Sequence, residues 1–501
     1  MMKKYRMKWL ALPLALILVV LAGCQAVAGL DINKALLQSV KVTSSESKQS
    51  MSVELVPVNG TISAEDRKVI DLINSIKLTV DSAKVQDLNR VSMKGAVGYQ
   101  DKKLPFHLSM DEKGMTIQVE GAKQPIYIGL GSTMDGMPDM TAYRGQIQQL
   151  SEKATEFVLK HLPNPSQISV KKARETVNGE AVDLTHLQLE IRGDELISLV
   201  KPFLTSVAKD EQGIKDLIGS FYDILYPMLK EMGGDLGATG FLPESKEATV
   251  AALAAALQEE LNKWLNNYDQ GLKDLMAETP GLSTVFGKDT VLKLDIYFDD
   301  KLNIRKENAE LNIALPAAED LPIQAVKLRM NSEMWNIGGT VNAEPVNTSA
   351  GVLDVMQGDV TPGQFLRNFD SNSEIYKLLK DEMKITSKQI FIDPFNEYYG
   401  VTSKNNTSFI PLRYLSEQLD AQVKWNKSTN QIVITDDITG GQIIVKVGAK
   451  QATVNGQTVN LDQPAFVDTF GTTYVPLRFI AESLGAKVTV DGEGFITIER
   501  P

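Results

Sequence analysis

One thiol, three imidazoles and a small group of thioethers are the side chains in this 501-residue sequence whose types and spacing could do chemistry. Cys24 is the only cysteine, so no disulfide forms within the chain. If its thiol is acylated, none is left for redox or thiolate-metal chemistry. His107, His161 and His186 are dispersed, without the close spacing that converges ligands on one ion. Met134, Met137 and Met140 recur every third residue and could collect Cu(I) where thiols are unavailable. The competing reading, a loop whose methionines pack on apolar surface, suits the isolated segment and its turn-forming aspartates better. A Gly-x-Ser-x-Gly elbow, a Ser-x-x-Lys with its companion motifs and a His-Glu-x-x-His are all missing. Gly338-Gly339 and Gly440-Gly441 are turn signals rather than phosphate cradles, and Asp299-Asp300 and Asp436-Asp437 fall at expected turns. Two distant acids suffice for glycoside hydrolysis, so a carboxylate-based hydrolase would leave no motif. The sequence therefore assigns no catalytic residue, no cofactor and no metal site.

The setting of Cys24 is more specific. Lys3, Lys4, Arg6 and Lys8 precede an apolar run from Trp9 to Ala22, and no carboxylate offsets them. A charged start followed by a short apolar stretch has the form of a secretory signal, and the run falls short of the roughly 20 apolar residues that span a bilayer. Leu21-Ala22-Gly23-Cys24 resembles the lipobox of bacterial lipoproteins. The resemblance implies cleavage before Cys24 and attachment of a diacylglyceryl group to its thiol, and so a protein held on the extracytoplasmic face of the cell membrane. Removing the four cations takes the net charge from -11 to -15. An acidic surface argues against nucleic-acid binding and against adhesion to anionic lipid, which leaves the N-terminal lipid as the membrane contact.

The elements that must position any site come next. Ile32–Val40 and Ala64–Ile76 have helical spacing, with Val69, Ile70, Leu72, Ile73 and Ile76 on one face of the second. Met51–Val58 alternates as a strand. Val91–Tyr99, Leu104–Met110, Met115–Glu120 and Pro125–Leu130, separated by turn clusters, form an antiparallel meander. A helix over 142–161 precedes strands Ile168–Ala173 and Leu184–Ile191, with the turn signal Asn178-Gly179 between them. Residues 194–277 are helical, with kinks or breaks expected at Pro202 and Pro227 and a stripe of Leu253, Leu257, Leu261, Trp264, Tyr268, Leu272 and Leu275. Strands return at Val291–Phe298, Leu302–Leu315, Ile323–Met330 and Met334–Val341. Alternation implies one buried and one solvated sheet face, and the inserted helices are the natural cover for the first. Ala343–Gly351 has linker composition, and residues 352–385 read as short helices.

The C-terminal fifth contains a repeat. Phe409-Ile-Pro411-Leu412-Arg413 through Glu417, Leu419-Asp420-Ala421 and Val423 matches Tyr474-Val-Pro476-Leu477-Arg478 through Glu482, Leu484-Gly485-Ala486 and Val488, at an offset of 65 positions. Each copy reads as a strand running into a proline at the start of a short helix, closed by Asp420 or Gly485 in the left-handed region, and then a further strand. The run Tyr474-Val-Pro-Leu-Arg478…Glu482-Ser-Leu-Gly485-Ala486, with Val454-Asn455-Gly456 and Pro464 before it, resembles the copper amine oxidase N-terminal-like "stalk" domain of Bacillus-like, Gram-positive surface proteins. This resemblance covers about residues 386–500 and implies a small non-catalytic β-α-β module rather than an oxidase. The rest of the chain is similar in architecture alone to periplasmic lipoprotein-carrier half-barrels.

Amine oxidation itself would need a tyrosine-derived quinone beside a copper held by three histidines. Asn267-Tyr268-Asp269-Gln270 comes close to the cofactor motif, but Tyr268 belongs to the helical stripe and reads as a packing residue. The expected fold is α+β. A signal occupies 1–23, an antiparallel-sheet body with inserted helices 24–345, a linker with short helices 346–385, and a tandem β-α-β module 386–501. The expected function is a non-catalytic surface lipoprotein that binds or scaffolds at the cell envelope, its module engaging wall material or another surface protein. A carrier of an apolar ligand in a half-barrel and an extracellular hydrolase are the alternatives. The lining of the sheet's apolar face is the observation that separates them.

Overall fold

The structure, a computed structural model, describes residues 29–129, 143–232, 245–318, 321–356, 360–426, 428–429 and 431–501. Cys24 and the segment before it, and Met134, Met137 and Met140, lie outside the described residues. The chain divides into two compact units, one of residues 1–117 and 129–346, the other of 118–128 and 347–501. Both mix helices and strands, so the fold is α+β.

In the first unit the strands are β1 (Ser45–Pro57), β2 (Lys77–Val85), β3 (Val91–Tyr99), β4 (Lys102–Met110), β5 (Gly114–Val119), β7 (Gln167–Val177), β8 (Glu180–Arg192), β9 (Val291–Phe298), β10 (Ile304–Ala314) and β11 (Ile323–Trp335), with β6 (Ile126–Gly129) lying between β5 and β7 in sequence. Their order across the sheet is β5-β4-β3-β2-β1-β11-β10-β9-β8-β7. N- and C-terminal strands thus meet at the centre, where β1 pairs antiparallel with β11 over nearly its whole length.

Sequence spacing suggested two strands at 323–341, but β11 is one strand. Asn331, Ser332 and Glu333 hold the extended conformation because each has a partner in β1 and in β10, and the strand ends only where Asn336 adopts a positive φ of 48°. Register on both sides has overridden the polar residues that looked like a turn.

The helices of this unit are α1 (Ile32–Val40), α2 (Ala64–Ser75), α3 (Arg144–His161), α4 (Gly193–Lys209), α5 (Glu211–Met232), α6 (Lys246–Glu278) and α7 (Leu282–Val285). Pro202 and Pro227 both lie inside helices, α4 and α5, and neither ends its helix. Ile32 and Ala35 of α1, Leu196 and Leu199 of α4 and Val285 cover the sheet over β8, β9 and β10, burying Leu187, Leu189, Ile191, Leu292, Leu294, Ile296, Leu311 and Ile313. The opposite face is laced with ion pairs, among them Lys48–Glu333 (2.9 Å), Lys306–Glu175 (2.7 Å) and Arg329–Glu54 (2.7 Å). Alternation along each strand is what separates the two faces.

The stretch with linker composition is docked against the first unit as far as Val346. Glu344 sits between Lys84 and Lys94, its carbonyl is 3.0 Å from His107 Nε2, and its N–H donates to Ser92. Those two lysines hold the Glu344 carboxyl well below the usual range, at about 2.

In the second unit, β12 (Leu353–Asp354), helices α8 (Pro362–Arg367) and α9 (Glu374–Lys377), and the segment 118–128 form a small core around Ile126, Leu366, Phe369, Leu379 and Ile438. The module proper contains β13 (Lys388–Ile392), β14 (Thr402–Lys404), β15 (Thr407–Pro411), α10 (Leu412–Gln418), β16 (Ala421–Asn426), β17 (Gln431–Asp436), β18 (Gln442–Val445), β19 (Gln451–Val454), β20 (Gln457–Asn460), β21 (Phe466–Val467), β22 (Thr473–Pro476), α11 (Leu477–Ser483), β23 (Lys487–Val490) and β24 (Ile496–Arg500). These make sheets in the orders β13-β24-β23, β14-β15-β22-β21 and β16-β17-β18-β19-β20. Pro411 and Pro476 sit at the N-caps, one position earlier than expected, where they close the strands.

Candidate functional site

Residues directly opposite one another in paired strands project to the same face. On the helix-bearing face, Ile168 pairs with Leu189, Leu189 with Leu294, Leu294 with Ala309, Ala309 with Met330, and Met330 with Met51. Met51 in turn pairs with Leu78, Leu78 with Val97, and Val97 with Leu104. This row is apolar across nine strands, from β7 to β4.

Its cover is uneven. Leu189 and Leu294 are buried under the helices, Ala309, Met330, Leu78 and Val97 are half-buried, and Met51 at the centre keeps 45% of its surface exposed. Leu328 and Val53, in register one step along, and Val326 and Leu55 a step further, extend the same half-buried apolar surface.

The neighbouring row is interrupted. Ile296 pairs with Glu307, Glu307 with Ser332, Ser332 with Gln49, and Gln49 with Val80. Three polar side chains thus lie abreast on an otherwise apolar face, at strand spacings of about 5 Å. Glu307 is in phase with Ala309, Leu311 and Ile313, so it points where the strand's apolar residues point. Burial raises its carboxyl pKa, with no charged neighbour contributing. Sequence analysis passed over Glu307; its signal was a lone acid in the inward phase of an alternating strand.

The residues weighed from the sequence are not brought together. His161, buried at the end of α3, contacts Asp210 through Nε2 and Ser206 through Nδ1, both at 2.8 Å. Lys160 is 2.7 Å from the same carboxylate, and Asp210 accepts from the Gly213 N–H at the start of α5. The Lys160 ammonium, with the Gly213 N–H and His161, holds the Asp210 carboxyl down at about 2. A serine, a histidine and an aspartate in contact invite a hydrolase reading. However, the cleft of about 800 Å³ alongside is lined by Lys160 and Asp210 and not by Ser206 or His161. The cluster joins the ends of three helices.

His186, on the polar sheet face, pairs with Asp295 at 2.7 Å and stacks on Tyr297. His107 lies on β4 against the Glu344 carbonyl. Among the described residues, no group of three or more His, Cys, Asp or Glu side chains is placed to hold a metal ion. Tyr268 donates its hydroxyl to the Ile197 carbonyl at 3.1 Å and pins α6 to α4. Burial, with Asp269 beside it, raises its phenol pKa.

The stripe expected on α6 divides. Leu261, Tyr268 and Leu272 turn towards the helical layer, while Leu253, Leu257, Trp264 and Leu275 are exposed. The buried line runs instead through Thr249 and Ala254.

The C-terminal module has an internal pseudo-two-fold relation. Phe409 pairs with Pro476, Ile410 with Val475 and Pro411 with Tyr474, so Ile410 faces its own counterpart and the pairs on either side of it are exchanged by the pseudo-two-fold. Leu412 and Leu477, Leu415 and Ile480, and Leu419 and Leu484 are buried as equivalent pairs in one core. Asp420 and Gly485 both adopt positive φ, 52° and 77°, as the helix-stop reading requires. Arg413–Glu417 and Arg478–Glu482 repeat the same exposed ion pair at 3.1 and 3.3 Å.

A tandem β-α-β module of this kind defines the class of the C-terminal unit. Residues 400–498 match the family model described as the copper amine oxidase N-terminal domain. No curated protein matches the chain.

Proposed function

We propose that this chain is a non-catalytic binding protein of the cell envelope, tethered by lipid on Cys24, whose body takes an apolar chain onto its sheet face. The observation that carries the reading is the nine-strand apolar row, left half-open around Met51. Leaving such a face against water is unfavourable by roughly 25 cal/mol for each Å² of apolar surface. A contiguous apolar patch rimmed by polar groups marks an interaction site more often than chance. The C-terminal module, matched over residues 400–498 by the copper amine oxidase N-terminal domain model, serves as the second contact, with wall material or another surface protein.

The test uses the unlipidated full-length chain. A fluorescent alkyl-chain probe with an uncharged head should bind it saturably, and Met51→Asp should weaken binding about tenfold or more by placing a charge in the middle of the row. Met51 is exposed enough for the variant to fold. No saturable binding by the natural sequence, or unchanged binding by the folded variant, refutes the reading.

A further inference from the structure

Resting on that apolar-face reading, we propose that the bound molecule is an amphiphile with a hydrogen-bond-donating cationic head, a primary ammonium above all, seated on the row Glu307, Ser332 and Gln49. The acceptor character of the row carries the argument. Glu307 is half-buried on the apolar face and has no hydrogen-bond or ion-pair partner among the described residues. Gln49 gives one amide N–H to the Ser47 hydroxyl at 3.4 Å, and its carbonyl oxygen is free to accept. Ser332 stands between them, able to accept or donate. An ionised carboxylate only accepts hydrogen bonds, and so does an amide oxygen. An anionic head would therefore meet acceptors on either side, whereas an ammonium supplies three donors and one compensating charge.

The cations next to Glu307 along the strand are engaged elsewhere, Lys306 on the opposite face with Glu175 at 2.7 Å. Arg305, two residues before Glu307, donates through Nε to the Met334 carbonyl at 3.0 Å and pairs with Asp299 at 3.5 Å. Burial already disfavours the ionised Glu307, and a charge held apart from water is tolerated when paired and hydrogen-bonded. The apolar row through Ala309, Met330 and Met51 starts one residue pair away from the polar row, so head and tail surfaces adjoin.

The experiment compares dodecylamine, dodecanol and dodecanoate, each below its micellar concentration, by calorimetric titration of the unlipidated full-length chain. Salt at about 0.15 M screens the acidic surface at large. Dodecylamine should bind about tenfold tighter than dodecanoate, the size expected of one charge-assisted contact. Glu307→Gln should abolish that preference. Glu310→Gln, on the same strand but the opposite face, should leave the preference intact. Equal affinity for the amine and the acid overturns the head-group assignment, as does a preference that survives Glu307→Gln or disappears with Glu310→Gln. Failure of all three chains to bind refutes the apolar-face reading beneath it, and binding of all three alike leaves that reading standing while the head-group assignment falls.

Discussion

Asp436 and Arg500 end equivalent strands in the two copies of the C-terminal repeat, and they have diverged into opposite charges that meet. Ile432 and Ile434 correspond to Ile496 and Ile498, which puts Asp436 opposite Arg500 in the alignment of the copies. The guanidinium reaches both carboxylate oxygens, at 2.7 and 2.8 Å, and donates as well to the Leu419 carbonyl, with both side chains buried. Breaking a buried pair by removing one partner leaves an uncompensated charge, at a cost of about 3–5 kcal/mol. Arg500→Met should therefore lower the stability of the second unit by about that amount. Urea titration read by hydrogen exchange in strand β17 measures it. Adding Asp436→Leu should restore only part of the loss, because the orphaned charge goes but so do the bonds that Asp436 accepts from the Ile438 N–H and the Thr439 hydroxyl. A loss below about 1 kcal/mol in the single variant would mean that water reaches the carboxylate. Nothing in the sequence announced this pair. The repeat offset of 65 found over the helices shortens by one before the last strand, so the two positions do not align until that slip is allowed for. Glu307 was passed over although strand phase, which it shares with Ala309 and Leu311, places it on the apolar face.

At the scale of elements, periodicity located most helices and strands because burial of one face is a local pattern. It located them less well where tertiary partners decided. The apolar arc of α6 is wider than the surface the helical layer offers, and spacing could not tell that Ala254 rather than Leu253 would be covered. Pro202 and Pro227 signal a kink or a break, and each helix runs through its proline without ending there. The repeat modules were read well because their core positions recur twice. Leu484 is 1% exposed and Leu419 fully buried at the pseudo-two-fold core. Leu484→Ala should cost about 2–5 kcal/mol, the range for truncating a buried leucine. Leu253→Ala on α6 should cost less than about 1 kcal/mol, since its side chain already faces water. Chemical denaturation of the two variants decides the contrast. Similar losses would show that the exposed side of α6 is covered in solution.

At the scale of the whole molecule, the proposed lipid attachment makes its own predictions. No helix among the described residues is long and apolar enough to cross one. Cleavage before Cys24, as proposed, would remove four cations and take the net charge from -11 to -15, which works against adsorption on anionic lipid. On the proposed reading Leu21-Ala22-Gly23-Cys24 supplies the attachment, through acyl chains that each add about 0.8 kcal/mol per buried methylene. A single chain holds a protein only marginally, whereas a diacylglyceryl group adds two at one residue. Cys24→Ser in the producing cell should therefore abolish the lipid-modified N-terminus and shift the protein out of the lipoprotein fraction. Mass spectrometry of the N-terminal peptide, with detergent partitioning of the intact chain, reads both effects. High salt should leave the natural protein in the membrane fraction, because the attachment is apolar rather than ionic. Release by salt, or a Cys24→Ser protein that still partitions into detergent like the natural one, would place the attachment in the folded body instead of at Cys24.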